Sequence, residues 1–114
     1  MTNLERLKME ISNISFTDEQ LTVFLAENGL NSTDTYNAND KAQYKAILKT
    51  ALSILEAVAN DVNLMKNFKL DDMSIMDFHS NLMERINYLD RKIRNMIDDE
   101  VGSDGATFTY MFSD

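Results

Sequence analysis

The chain reads as an all-α protein, a small bundle of about four helices. Three observations carry that expectation. Proline is absent and glycine occurs only three times in 114 residues, which leaves few breakers for a turn-rich β-architecture. Two long segments repeat apolar residues every three or four positions. Capping residues and an Asn-Gly pair bracket several of the helical segments. The detailed expectation is two long antiparallel helices, a short β-hairpin before the last one, and an extended C-terminal arm.

Residues 3–14 carry Leu4, Leu7, Ile11 and Ile14 on one helical stripe, with Glu5, Arg6, Lys8 and Glu10 on the wet side. Thr17-Asp18-Glu19-Gln20 then reads as a capping box: the Thr17 hydroxyl accepts from the Gln20 amide and the Gln20 side chain reaches back. Asp18 and Glu19 suit the positive end of the helix dipole. Leu21, Phe24 and Leu25 point inward, and Phe16 is placed to staple onto Leu21. Asn28-Gly29 ends this helix, with Gly29 free to take the left-handed conformation. Residues 30–39 are a polar loop, and Asn39 or Asp40 caps the third helix.

That third helix is predicted over 41–65. Tyr44, Ile47, Leu48, Ala51, Leu52, Leu55, Val58, Ala59 and Val62 form its stripe, and its alanines allow close approach of neighbours. Over 66–76 the apolar residues Phe68, Leu70, Met73 and Ile75 flank Asp71-Asp72, which predicts two short extended arms around a turn. Asp77 is the expected N-cap of the last helix, 78–98, with Phe78, Leu82, Ile86, Leu89, Ile93 and Met96 or Ile97 inward. Gly102 to Gly105 reads as a hinge. The organisation expected is therefore a helical domain over 1–101 and a flexible hinge with an aromatic arm over 102–114.

In that arm Phe108, Tyr110 and Phe112 alternate with Thr107, Thr109 and Met111. High β-propensity and three aromatics in five residues make exposure to water costly. Two solutions stand open: the segment folds back on its own helices, or it docks on another chain. Eight methionines leave a similar pair of readings, core filling or an adaptable interface.

Little in the sequence points to catalysis. Cysteine is absent and His79 is the single histidine, so disulfides and Cys- or His-rich metal sites are excluded. His79 near Asp71, Asp72 and Asp77 fits no ligand spacing and reads as an exposed first-turn residue. Asp98-Asp99-Glu100 and Asp104 lack the alternating ligands of a calcium loop. There is no glycine-rich phosphate loop and no serine beside a usable base. The expectation is a protein that is not an enzyme and holds no cofactor or metal.

Net charge is −8, unevenly spread. Residues 1–40 carry two basic and seven acidic side chains, 41–75 carry five and four, and 76–114 carry four and eight. That balance argues against a nucleic-acid-binding surface. Arg85, Arg91, Lys92 and Arg94 cluster on the last helix, either as a solvated face or as partners for a neighbour's acids. No segment has the roughly 20 apolar residues of a membrane span, and residues 1–10 have no apolar signal core. A soluble, intracellular protein is expected.

The order of parts is a short leucine-bearing helix, an acidic capped helix, a polar linker, a long alanine-bearing helix, then a Ser-Ile segment running into an amphipathic last helix. The stretch Asn67-Phe68-Lys69-Leu70-Asp71-Asp72-Met73-Ser74-Ile75, leading to Leu82 and Ile86, is its most telling part. This resembles the small head–tail connector (adaptor, or head-completion) proteins of tailed bacteriophages and prophages, over roughly residues 1–97. Where that family often has glycines in the turn before its Ser-Ile or Ser-Val strand, this chain has Asp71-Asp72. The resemblance implies a virion protein that joins head to tail. It implies a ring, usually of twelve copies, below the portal, whose negatively charged channel lets DNA pass without specific binding. Its implied partners are the portal, the next tail component and copies of itself; before assembly it would reside in the host cytoplasm. The expected protein-interface residues are Phe108, Tyr110, Met111, Phe112, Arg85, Arg91 and Arg94. The rival reading is a soluble regulatory or antitoxin-like helical protein that binds one protein partner through its aromatic tail.

Overall fold

The computed structural model describes residues 1–104. Five helices follow one another: α1 (Asn3–Glu10), α2 (Asp18–Glu27), α3 (Lys41–Ala59), α4 (Val62–Phe68) and α5 (Ile75–Asp104). No strand is present among the described residues beyond a single antiparallel bridge between Thr2 and Thr35. The all-α expectation holds, with five helices rather than four and without the predicted hairpin.

Each helix start has a local chemical cause. Thr2 and Glu5 form a capping box on α1, as Thr17 and Gln20 do on α2. Asp40 accepts from the amides of Ala42 and Gln43 at the head of α3, and Asp61 from those of Asn63 and Leu64 at the head of α4. Gly29, at φ 80°, follows α2 as expected, and the Leu30 amide donates back to the Leu25 carbonyl.

These caps explain where the sequence reading goes wrong. The predicted helix 41–65 is two helices, because Asn60 closes α3 and Asp61 opens α4. The β-hairpin over 66–76 does not exist. Leu64, Met65 and Phe68 lie at helical spacing and pack inward at the end of α4. Leu70 to Met73 is a turn closed by the Met73 amide on the Leu70 carbonyl, 3.0 Å. Ser74 then starts α5, its hydroxyl accepting from the Asp77 amide at 3.0 Å, so Asp77 is not the cap. A short apolar run satisfies both the helical and the extended period, and an isolated two-stranded hairpin is marginal in water. Helix capping on both sides outweighs it. α1 ends at Glu10, not at residue 14, although Ile14 stays buried through a turn onto the Ile11 carbonyl. At the other end α5 continues through Gly102 to Asp104, so the expected stop at 98 and most of the expected hinge fall inside a helix. One glycine costs a helix only about 1 kcal/mol, and no proline forbids it.

α3 sits at the centre and packs against all four other helices. It runs antiparallel to α5: Tyr44 near its start meets Lys92, while Leu55 near its end shares a cavity wall with Leu82. Ile47, Leu48, Ala51, Ile54, Leu55 and Val58 are buried from α3, and Leu82, Ile86, Leu89 and Ile93 from α5. Ile54 is absent from the predicted stripe yet fully buried, whereas Leu52 is half-buried and Val62 exposed. Thr50 is also fully buried, its hydroxyl donating to the Ala46 carbonyl at 2.7 Å. Phe16 ties α2 to α4, its ring 5.8 Å from Phe24 and 5.7 Å, edge-on, from Phe68.

The polar loop 30–39 is anchored on α1. Asn3, 1% exposed, donates from Nδ2 to the Asn31 carbonyl (2.8 Å) and accepts at Oδ1 from Gln43 Nε2 (2.9 Å). The amides of Asn3 and Leu4 donate to the carbonyls of Asp34 and Ser32, and that of Tyr36 to Met1. The start of α1, the loop and the start of α3 are thereby one hydrogen-bonded unit.

Ile54→Ala and Leu89→Ala should each cost roughly 2–5 kcal/mol, and Leu52→Ala distinctly less. Denaturant melts of the three variants would check this ranking; equal losses would contradict the burial pattern. The Glu5 carboxyl is held below its usual range by the Thr2 amide first and the Thr2 hydroxyl second. The capping box therefore contributes fully above the ordinary glutamate range and is lost as pH falls through the lowered Glu5 value. An NMR titration should show the Thr2 amide shifting with that transition, and not in Glu5→Ala.

Candidate functional site

A concavity of the described surface lies between the end of α1, the turn after α4 and the first half of α5. It is about 640 Å³ in volume, within the range of pockets that bury ligands or partner side chains. Its walls are mainly apolar. Ile11 and Ile14 come from the turn after α1, Leu55 from α3, Phe68 from the end of α4, and Phe78 and Leu82 from α5. Leu70 and Met73 stand at the mouth on the turn between α4 and α5. The polar residues are Glu10, Ser12, Asn13, Asn81 and Arg85.

Local sequence explains this shape. α1 stops at Glu10, and the turn after it carries Ile11 and Ile14 inward but leaves a gap before α2. The α4–α5 turn is too short to fold its own apolar residues under the bundle, so Leu70 remains 65% exposed. Met9 at the same cavity is 60% exposed, and Met76 on the first turn of α5 is 80% exposed. Of the methionines with described side chains only Met65 is buried, so core filling is not their main role here.

Arg85 guards one side of the hollow. Its Nη2 donates to Glu10 Oε2 at 2.5 Å and to the Glu10 carbonyl at 3.2 Å, tying α5 to the last turn of α1. Arg6 holds the other Glu10 oxygen at 3.0 Å. The remaining cations of the last helix do not join it. Lys92 lies 5.3 Å from the centre of the Tyr44 ring and 5.7 Å from that of Tyr88. A hydrogen bond with the Tyr44 hydroxyl is the main reason the Lys92 pKa is raised. Arg94, exposed, pairs with the half-buried Asp90 one turn back at 3.2 Å. Arg91 is exposed beside Glu84, Asn87 and Asp90. The cluster of Arg85, Arg91, Lys92 and Arg94 is thus dispersed, and Arg85 is a structural tie.

Comparison with family models, with curated proteins and with solved structures finds no match for this chain.

His79 lies in the second turn of α5, half-buried, rather than exposed in a first turn. Among the described residues no three His, Asp or Glu side chains are grouped to hold a metal ion. No helix among them is long and apolar enough to cross a membrane. Phe108, Tyr110, Met111 and Phe112, the expected interface residues of the arm, lie outside the described residues. Sequence reasoning missed the hollow because it assigned Phe68, Leu70 and Met73 to a hairpin. Its available signal was the run of apolar residues in 68–75, too close together for one helix face.

Arg85→Met should lower stability by up to about 1 kcal/mol, because it removes a partly exposed ion pair between two helices. Arg91→Met should leave stability unchanged. Thermal melts of both variants would decide; an equal effect would contradict the different placement of the two arginines.

Proposed function

We propose that this chain is a non-enzymatic structural protein of a tailed phage or prophage. In this reading it forms a homo-oligomeric ring below the portal, joins head to tail and extends the DNA channel. One observation carries the reading. The stretch from Asn67 to Leu82, on which the resemblance to head–tail connectors rests, builds much of the open apolar hollow. A docking surface is thus available where that resemblance is strongest. The order of helices agrees with it: two short capped helices, a polar loop, a long helix, and a Ser74-Ile75 start to the last one. The strand of the family pattern is not part of the support, since a turn and a helix start stand in its place. A charge of −8 suits a channel along which DNA slides, because like charge keeps phosphates from sticking.

The test is native mass spectrometry of the full chain, alone and mixed with a portal protein from the same genome. The expected result is a complex near twelve times the 13.1 kDa chain, formed alone or on the portal. A chain that stays monomeric in both samples, or that pairs one-to-one with an unrelated cellular protein, would overturn the ring in favour of a regulatory binding protein.

A further inference from the structure

We infer that the apolar hollow receives the aromatic segment Phe108–Phe112 of another copy of this chain, so that copies link head to tail. The inference rests on the ring reading for its biological setting, but its argument is one of reach, charge and composition.

Reach comes first. α5 has 30 residues and is about 45 Å long at 1.5 Å per residue. The hollow lies at its beginning, with Phe78, Leu82 and Arg85 in the wall and Leu70 and Met73 before the first turn. From Asp104 back to Arg85 is about 28 Å along the axis, and to Phe78 about 39 Å. Beyond Asp104 a chain advances at most about 3.5 Å per residue. Running straight back, Phe108 gains no more than about 14 Å, Tyr110 about 21 Å and Phe112 about 28 Å. The chain's own aromatics therefore stop at Arg85, on the near rim, with only Phe112 getting that far, and they do not reach Leu70 or Met73 at the other side. A segment that lays all three aromatics across the hollow therefore comes from a second copy.

Composition and charge favour that occupant. When extended, the segment puts Phe108, Tyr110 and Phe112 on one edge and Thr107, Thr109 and Met111 on the other. The hollow offers Phe68, Phe78, Met9 and Met73, partners for edge-to-face and sulfur–aromatic contacts. Ser12, Asn13 and Asn81 are there to meet a strand's backbone groups. Two copies of a chain with net charge −8 repel each other. Residues 105–114 carry a single charged side chain, Asp114, so contact through them adds least to that repulsion. Donor and acceptor are different surfaces at opposite ends of α5, so copies close into a reciprocal pair or a larger ring, or run on as a filament, according to the rotation between them.

The chain has no cysteine, so engineered thiols report cleanly. Full-length Leu70→Cys protein is mixed with full-length Phe108→Cys, Tyr110→Cys or Phe112→Cys protein and mildly oxidised. At least one mixture should give a covalent dimer, with each variant alone giving none. Val23→Cys, exposed on α2, should give none with the same partners. In parallel, Leu70→Asp should abolish self-association while leaving far-UV circular dichroism unchanged, since Leu70 is mostly exposed. The inference is overturned if no mixture cross-links, if Val23→Cys links equally well, if Leu70→Cys pairs with itself, or if Leu70→Asp associates as wild type. The ring reading fails separately. Cross-linked copies that form only open filaments refute the ring and keep the contact, whereas a ring without the cross-link refutes the contact alone.

Discussion

α3 has to bury apolar side chains on more than one side, and the rest of the fold depends on that requirement. Ile47, Ala51, Ile54 and Val58 are at or near zero exposure, which no single partner helix can achieve. α5 covers one side along most of its length, and α1, α2 and α4 cover the others. Removing a large aliphatic side chain from water contributes roughly 1.5–3 kcal/mol. A central helix with this many buried positions therefore outweighs the local preferences of the segments around it. Ala51 and the satisfied hydroxyl of Thr50 are what let those neighbours approach closely.

Around that centre, side-chain oxygens decide where helices start. Thr2, Thr17, Asp40, Asp61 and Ser74 each accept from an amide of the first turn. Each such cap is worth about 1 kcal/mol, small beside the core but enough to choose between neighbouring start sites. Asp61 turns the chain sharply after α3, and Ser74 starts α5 only six residues after α4 ends. Two starts so close together leave a turn with apolar residues that have nowhere to go. The exposure of Leu70 and the mouth of the hollow are consequences of that spacing.

Polar interactions then fix the periphery. Asn3, Gln43 and the backbone of residues 31–36 hold the loop against the start of α1. Glu10, shared between Arg6 and Arg85, holds the end of α1 against α5. The same Arg85 contact borders the hollow, so one edge is tied by an ion pair and the other carries the exposed Leu70 and the half-buried Met73.

By itself the sequence determined the helical class, the capping box at Thr17, the stop at Gly29, a helix start at Asn39 or Asp40, which the structure resolves to Asp40, and the inward residues Leu82, Ile86, Leu89 and Ile93. All of these depend on residues within one or two turns of each other, so local periodicity and capping chemistry suffice. Only the tertiary structure decided the helical state of Phe68 and the burial of Ile54; the division of α3 from α4 and the continuation of α5 through Gly102 have local causes that periodicity alone does not register, the Asp61 cap and a single tolerated glycine. A short apolar run such as 68–75 satisfies two periods at once, and packing against distant elements chooses between them: Phe16 against Phe68 is one such contact. The hollow belongs to the same class. Its walls come from residues 9–14, 55 and 68–85, and nothing local to any of these segments records that the other two will face it.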